Sequence, residues 1–177
     1  YFFYRFRSDR LTSDVGRARL LDDSAKETSF AVMSCSNFPA GYFNVYEACA
    51  YEEIDFWIHL GDYLYEYPMD GYATENAQLL NRIPEPHHEI LTLSDYRKRH
   101  AQYKKDPQSQ LLHATHPLIA VWDDHEITND TWKYGAENHD ADEGEWEVRK
   151  SNGKQAFYEG LPKRNTENNK MYLSISE

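Results

Sequence analysis

The chain has 177 residues, of which 40% are hydrophobic and 15% aromatic, and it carries a formal net charge of −11. This apolar content is sufficient for one buried core and argues against disorder. The negative charge argues against direct nucleic-acid binding, because a phosphate backbone would be repelled. No apolar run approaches the ~20 residues that a membrane-spanning helix needs.

The first part of the chain predicts a strand, a charged connector and a β-α-β unit. Residues 1–6 alternate weakly in hydrophobicity, whereas residues 8–26 are charged and show no clear period. The apolar runs 30–33 and 54–60 are bounded by polar residues, which is typical of buried strands, and residues 44–53 between them have a helical pattern. A crossover helix of this kind indicates two parallel strands.

The next part predicts a long loop, two helices and a third buried strand. Residues 67–93 contain Pro68, Gly71, Pro84 and Pro86, and a loop of this length is usually functional or mobile. Ser94 is a candidate N-cap for the following helix, and Asp106-Pro107 provides the N-cap and first position of another. The remaining predicted elements are the helix 95–105, a helix from 107 to before Pro117, the strand 117–122, the loop 133–144, the helix 146–158 broken at Gly153, and a strand beginning at 171–176.

Each of the three apolar runs ends at residue types that bind metal ions. The first is followed by Cys35, the second by Asp62, and the third by Asp123-Asp124-His125. The carboxyl ends of parallel strands share one edge of a sheet, where open α/β sheets place their sites. We therefore expect Cys35, Asp62 and Asp124 to meet at one edge and to form a metal-dependent hydrolase site.

The segment Gly61-Asp62-x-x-Tyr65 places a turn-forming glycine and two possible metal ligands directly after a strand. Gly61 permits a tight turn after the strand, and the carboxylate of Asp62 can bridge two cations. Tyr65 can reach the same point if residues 62–65 form a helical turn, and its phenolate is a hard ligand suited to a trivalent ion. The alternative is a strand-end turn with aromatic packing, since the chain has 14 Tyr residues.

The segment Asp123-Asp124-His125-Glu126 is a stronger indication of a cation. Adjacent carboxylates at the end of a buried strand repel each other, and a bound cation removes the conflict. His125 can then act as an acid, a phosphate donor or a ligand, and Asn129 can add a neutral oxygen that suits calcium. The alternative is a solvated acidic turn on a very acidic protein.

The two cysteines are too few for a disulfide framework in a chain of this length. Cys49 lies in a helical pattern and is predicted to be a small core residue. Cys35 follows a strand among small polar residues, where a metal could stabilise its thiolate. A buried thiol is the alternative for Cys35.

Taken together, the motifs resemble the PhoD-like alkaline phosphatases and phosphodiesterases of the metallophosphatase superfamily, over most of residues 29–162. The opening residues 1–6 look like the last strand of the β-sandwich that precedes the catalytic domain in this family. The motifs are Ser34-Cys35-Ser36-Asn37, Gly61-Asp62-x-x-Tyr65-Glu66, Asp95-Tyr96-Arg97 with Tyr103, Trp122-Asp-Asp-His-Glu126 through Asn129, and the segment 156–162.

The resemblance implies hydrolysis of phosphate mono- or diesters with ferric iron (Fe3+) and calcium (Ca2+) as cofactors. Cys35, Asp62 and Tyr65 match the family's iron-ligand pattern, with Asp62 bridging to calcium. Asn129 matches a calcium-side ligand and, with His125, is assigned to catalysis. Asp124 is assigned to the metal side of the site and His125 to the phosphate side.

The resemblance also implies a fold and a division of the chain. The expected fold is α/β, an incomplete metallophosphatase-type sandwich with its metal site at the carboxyl ends of the strands, preceded by the end of a small β domain. Residues 1–26 would be the end of that domain and a connector, and residues 27–177 the first half of the catalytic domain. Because the family's further ligands lie downstream, we expect this segment to be inactive alone. The family is usually exported, which implies a periplasmic or extracellular protein, although no signal peptide is visible.

Three other interpretations remain open at the level of sequence. The first is a non-catalytic acidic module that binds calcium, and the second is a structural domain whose carboxylates and Cys are satisfied without a metal. The third is an ordinary dinuclear phosphoesterase of the same superfamily, which would carry Asn in place of Asp124 and no Cys or Tyr ligand. The sequence does not distinguish monoester from diester substrates, and it does not give the oligomeric state.

Overall fold

The computed structural model describes residues 1–19 and 24–161. These residues form two small sheets and a set of helices that pack against the larger sheet. The strands are β1 (Phe2–Tyr4), β2 (Gly16–Ala18), β3 (Phe30–Met33), β4 (Phe56–His59) and β5 (Leu118–Ala120), the helices are α1 (Asn44–Ala50), α2 (Leu93–Lys105), α3 (Pro107–Thr115) and α4 (Trp146–Gly160), and a 3-10 turn covers Phe38–Ala40.

The three predicted strands β3, β4 and β5 form one parallel sheet with β4 in the centre. Met33 pairs with His59, and His59 pairs with Ala120, so all three carboxyl ends lie at the same edge. Helix α1 connects β3 to β4, and helices α2 and α3 lie between β4 and β5 in the chain. The mixed α/β architecture and the parallel direction of the strands agree with the sequence prediction.

The prediction that the three apolar runs form buried strands is wrong for one face of the sheet. Neighbouring side chains of a strand point to opposite faces of the sheet, and only one face is covered by the described helices. Trp57 on the covered face is completely buried, whereas Phe30, Val32 and Ile119 on the other face are about half exposed. The sheet therefore has one buried face and one apolar face that the described residues leave open.

The N-cap of α2 is Thr92, and the prediction of Ser94 is wrong. The Thr92 side chain accepts a 3.3 Å hydrogen bond from the Asp95 backbone N–H, and Asp95 Oδ2 accepts a 2.9 Å bond from the Thr92 N–H. This reciprocal capping box satisfies two backbone donors at once, which Ser94 would not achieve. The predicted start of α3 is confirmed, since Asp106 Oδ1 accepts from Gln108 N–H and Ser109 N–H at 2.9 Å.

Helix α4 continues to Gly160, so the predicted break at Gly153 is wrong. Gly153 is buried, and a Cβ added there would lie 2.9 Å from the Glu126 carbonyl oxygen. The glycine therefore allows α4 to pack closely against the turn that follows β5. Helix α1 ends at Ala50, three residues before the predicted end. The strand predicted to begin at 171–176 lies outside the described residues.

The segment predicted as a connector contains a strand, because β2 pairs antiparallel with β1. This hairpin contacts the rest of the chain through Arg17, whose Nε donates a 2.9 Å hydrogen bond to the Thr115 carbonyl oxygen. A second nitrogen of Arg17 lies 3.2 Å from His116 Nδ1. Within the described ranges, no helix is long and apolar enough to cross a membrane.

Candidate functional site

The ends of β3 and β4 bring Cys35 and Asp62 together through their backbones. Beyond the strands, Cys35 N–H donates to the Gly61 carbonyl oxygen at 3.2 Å, and Ser36 N–H donates to the Asp62 carbonyl oxygen at 2.8 Å. Cys35 and Asp62 have φ angles of 59° and 55°, a left-handed conformation that is uncommon for residues other than glycine. Such strained positions concentrate at functional sites. Here they place the Cys35 thiol 3.3 Å from Asp62 Oδ2.

Gly61 determines how closely the end of β4 approaches the end of β5. Its φ angle is 114°, which L side chains rarely adopt, and an added Cβ would lie 2.5 Å from Asp123 Cβ. The absence of a side chain therefore lets the turn after β4 pass directly against the start of the Asp123-Asp124 segment. This close passage brings Asp62 beside Asp124.

Asp62, Asp124 and His125 form a cluster in which one ligand-type atom from each residue lies within 4.8 Å of the others. Asp62 Oδ1 is buried and has no hydrogen-bond partner among the described residues. Burial raises the pKa of Asp62, and the carboxylates of Asp124 and Asp123 raise it further. A buried carboxylate oxygen without a donor and beside like charges is the environment that a cation stabilises. The residues therefore fit a metal ion.

Tyr65 joins the same cluster through Asp62. Its hydroxyl donates a 3.3 Å hydrogen bond to Asp62 Oδ2, the oxygen that also accepts from Cys35. Burial raises the pKa of Tyr65, as does the nearby charge of Asp62. Tyr65 reaches Asp62 without the helical turn considered in the sequence analysis, because residues 63 and 64 form bends.

His125 is held by the buried carboxylate of Glu66, a motif residue for which the sequence predicts no role. His125 Nδ1 lies 2.8 Å from Oε2 of Glu66, whose side chain is completely buried. Burial opposes the charge on both groups, but the hydrogen bond between them lowers the pKa of Glu66 and raises that of His125. With Nδ1 engaged by Glu66, His125 Nε2 is the ring nitrogen that can serve another partner.

Asn129 lies beside the cluster and bonds to two carboxylates. Its side-chain nitrogen donates to Glu137 Oε2 at 2.5 Å, and its backbone N–H donates to Glu66 Oε1 at 2.7 Å. The structure therefore brings Cys35, Asp62, Tyr65, Asp124 and His125 together and orients the Asn129 amide nitrogen towards Glu137. Glu66 connects Asn129 to His125, because one carboxylate binds both residues.

Glu126 connects the segment after β4 to the segment after β5 through two hydrogen bonds. Its Oε1 accepts a 2.6 Å hydrogen bond from Tyr63 N–H, and its Oε2 accepts a 2.9 Å bond from Asp123 N–H. Burial raises the pKa of Glu126 to about 7. The position of Glu126 three residues after Asp123 was a possible signal for this bond, since a carboxylate at this spacing often returns to a backbone N–H.

Arg99 organises the loop that follows Tyr65. This residue of α2 is almost completely buried, and its guanidinium donates to the backbone carbonyl oxygens of four residues in the loop. Burial lowers the pKa of Arg99. No sequence pattern indicates this role, because the acceptors are main-chain atoms. They belong to Tyr65, Tyr67, Glu85 and Pro86.

An acidic cluster at the carboxyl edge of a parallel sheet lies where open α/β sheets place their ligand sites. The sequence model of the PhoD-like phosphatase family matches residues 30–176. The chain is 34% identical over 166 residues to alkaline phosphatase D of Bacillus subtilis strain 168. A solved structure of PhoD has a TM-score of 0.80 and 34% identity to the chain. The chain belongs to the PhoD-like phosphatase family.

These matches cover most of the chain but a smaller part of the relatives. The alignment with alkaline phosphatase D spans 92% of this chain and 28% of that protein. The superposition on PhoD spans 92% of this chain and 31% of the solved chain. Membership in a phosphatase family favours an enzyme over the non-catalytic calcium-binding module and the structural domain.

Proposed function

We propose that the protein hydrolyses phosphate mono- or diesters with the help of metal ions held at the carboxyl edge of β3, β4 and β5. The observation that carries this proposal is the cluster of Asp62, Asp124 and His125, in which the buried Asp62 Oδ1 has no partner among the described residues. Cys35 and Tyr65 extend this cluster through Asp62 Oδ2.

The donor set supports ferric iron and calcium as the two ions. Cys35, Asp62 and Tyr65 would hold iron, because a thiolate, a carboxylate and a phenolate are anionic ligands that together suit a trivalent ion. Asp62 would bridge to calcium, with Asp124 and Asn129 supplying further oxygen ligands. When bound, the ions supply Lewis-acid chemistry by neutralising phosphoryl oxygens and lowering the pKa of water.

The chain's own residues would orient the substrate and handle its proton. With Nδ1 held by Glu66, His125 can direct Nε2 towards a phosphoryl oxygen or the leaving oxygen and donate a proton there. The raised pKa of His125 favours the protonated ring that such a donor needs. The backbone N–H of Asn129 is fixed by the same Glu66 carboxylate, so one buried group positions both predicted catalytic residues.

The proposal extends to the organisation of the whole protein. Residues 1–26 would be the end of a preceding β domain, and residues 27–177 the first half of a metallophosphatase-type sandwich. The family's downstream ligands would complete the site, so the 177-residue chain supplied with iron and calcium should show no appreciable turnover. Export to the periplasm or the extracellular space is proposed from the family resemblance.

The test combines metal analysis with hydrolysis by the intact protein, using p-nitrophenyl phosphate and bis(p-nitrophenyl) phosphate as mono- and diester. Asp62→Asn should remove bound metal and lower kcat/KM roughly 100-fold or more, because loss of a bridging ligand displaces the reacting groups. Asp142→Asn, at an exposed loop position, is the matched control. Bound metal without turnover on either ester would favour a calcium-binding module, and full activity of Asp62→Asn would refute the proposed site.

A further inference from the structure

Four aromatic rings pack against one another next to the cluster and form an aromatic wall. They are the rings of His125, Tyr65, Tyr67 and Tyr72. The Tyr65 ring lies 4.2 Å from that of His125, and the Tyr67 ring lies 5.5 Å from that of His125, measured between ring centroids. Tyr72 lies 6.3 Å from Tyr65 and 5.8 Å from Tyr67. Because the Tyr65 hydroxyl bonds to Asp62, this aromatic wall starts at the candidate metal ligands.

The exposure of the rings increases with distance from the cluster. Tyr65 and His125 are buried, Tyr67 is partly buried, and Tyr72 is 62% exposed. The wall therefore runs from the position proposed for the phosphate out to solvent. A substituent on the phosphate that follows this wall would meet first the Tyr67 ring and then the Tyr72 ring.

Hydrogen bonds and close packing hold the backbone segment that carries the Tyr67 and Tyr72 rings. Arg99 donates a 3.1 Å hydrogen bond to the Tyr67 carbonyl oxygen, and Asn37, two residues after Cys35, donates a 3.4 Å bond to the Tyr72 carbonyl oxygen. Between them, Gly71 packs so closely that an added Cβ would lie 2.8 Å from Tyr67 Cβ. The loop is thus anchored at both rings, so the backbone that carries Tyr67 and Tyr72 is ordered before a ligand binds.

We propose that Tyr67 and Tyr72 are specificity-determining residues that stack on a planar ring of the substrate, so that the protein prefers phosphate esters whose substituent carries an aryl group or a nucleobase. This inference rests on the proposed function and deepens it. The faces of tyrosine rings bind planar rings by stacking, and this interaction tolerates different ring types. A substituent without a ring, such as glycerol, would leave the wall unused.

The test compares Tyr72→Ala with the wild type in the intact, metal-loaded protein on three diesters. These are bis(p-nitrophenyl) phosphate, thymidylyl-thymidine and the ringless glycerophosphoglycerol, all followed by phosphorus NMR. Each variant is compared with the wild type on the same substrate, so differences in intrinsic reactivity cancel. Tyr51→Ala is the matched control, because Tyr51 is 75% exposed and lies at the end of α1.

Tyr72→Ala should raise the KM of the ring-bearing diester relative to that of the ringless one by roughly fivefold or more, which is the scale of losing one stacking partner. Tyr72→Phe should retain the wild-type ratio, since it keeps the ring face. The two ring-bearing substrates show whether the wall binds aryl groups, nucleobases or both.

An equal effect on all three diesters, or no effect on any, would overturn the specificity proposal while leaving the proposed function intact. Wild-type protein that hydrolyses none of the diesters and no monoester would instead refute the proposed function, and the specificity proposal with it. Thermal unfolding of both alanine variants checks that the fold is retained.

Discussion

The buried Glu66 carboxylate lies 2.8 Å from His125 Nδ1 and also accepts a 2.7 Å hydrogen bond from the Asn129 backbone N–H. One side chain from the end of β4 thus positions two predicted catalytic residues from the turn after β5. Thr128 Oγ1 donates a third bond to the same carboxylate at 3.1 Å. Glu66 therefore ties the segment after β4 to the turn after β5.

Glu66→Gln should lower kcat by ~10–100-fold while metal content and KM change little, because the amide keeps the volume but weakens the orientation of His125. Steady-state kinetics and metal analysis of the intact protein measure this split. Glu52→Gln, at an exposed position after α1, is the control. A parallel loss of melting temperature, metal and activity would instead assign Glu66 a purely structural role.

Tyr65→Phe should abolish a visible absorption band that arises from phenolate-to-iron charge transfer. The change deletes only the hydroxyl that bonds to Asp62, so burial and fold should be retained. Absorption spectra of the metal-loaded protein check this expectation. Tyr67→Phe is the matched control, because that ring belongs to the same wall and is not a predicted ligand. A band that persists unchanged in Tyr65→Phe would show that Tyr65 does not bind iron.

His100 should make the protein less stable in acid. It is buried, neither ring nitrogen has a partner among the described residues, and burial lowers its pKa from 6.5 to about 3. Between these values the unfolded chain binds more protons than the folded one. Stability is therefore fully present above pH 6.5 and is lost as the pH falls towards 3, by about 2 kcal/mol at pH 5.

His100→Leu should remove this part of the acid sensitivity, because the leucine has no proton to gain and replaces a ring without hydrogen bonds. Urea unfolding at pH 7.5 and pH 5 measures the difference in the free energy of unfolding. His87→Leu, at an exposed position, controls for the removal of an imidazole. An unchanged pH dependence in His100→Leu would contradict the argument.

The parts of the fold that could be predicted are those specified by neighbouring residues. The apolar runs of β3, β4 and β5 and the Asp106-Pro107 start of α3 carry their signals within a few positions. Strand β2 does not, since three residues show no period and depend on pairing with β1 and on the contact of Arg17 with Thr115. The Thr92 cap could have been predicted from the sequence, because Asp95 completes the capping box three residues later.

The residues of the candidate site also divide into those that could be placed from the sequence and those that could not. Cys35, Asp62 and Asp124 could be placed together because each follows a parallel strand. The role of Glu66 could not, because Glu66 lies in an irregular segment beyond β4, where no strand register places it beside His125. The hydrogen bonds of Arg99 could not be predicted either, because their acceptors are backbone carbonyl oxygens, which no sequence pattern reveals.

Gly61→Ala and Gly144→Ala form a matched pair that separates backbone strain from close packing. Both glycines have positive φ angles, 114° and 95°, so alanine is strained at either position by about 1–2 kcal/mol. At Gly144 an added Cβ meets no described atom within 4 Å, whereas at Gly61 it would lie 2.5 Å from Asp123 Cβ.

Gly61→Ala should therefore lower the free energy of unfolding by roughly 3 kcal/mol or more, since the end of β5 must move to accommodate the methyl group. The same movement separates Asp62 from Asp124, so the variant should also lose bound metal, while Gly144→Ala keeps it. Urea unfolding and metal analysis of the two variants of the intact protein measure both effects. Equal stability and equal metal content in the two variants would show that the close passage of Gly61 against Asp123 does not hold the site together.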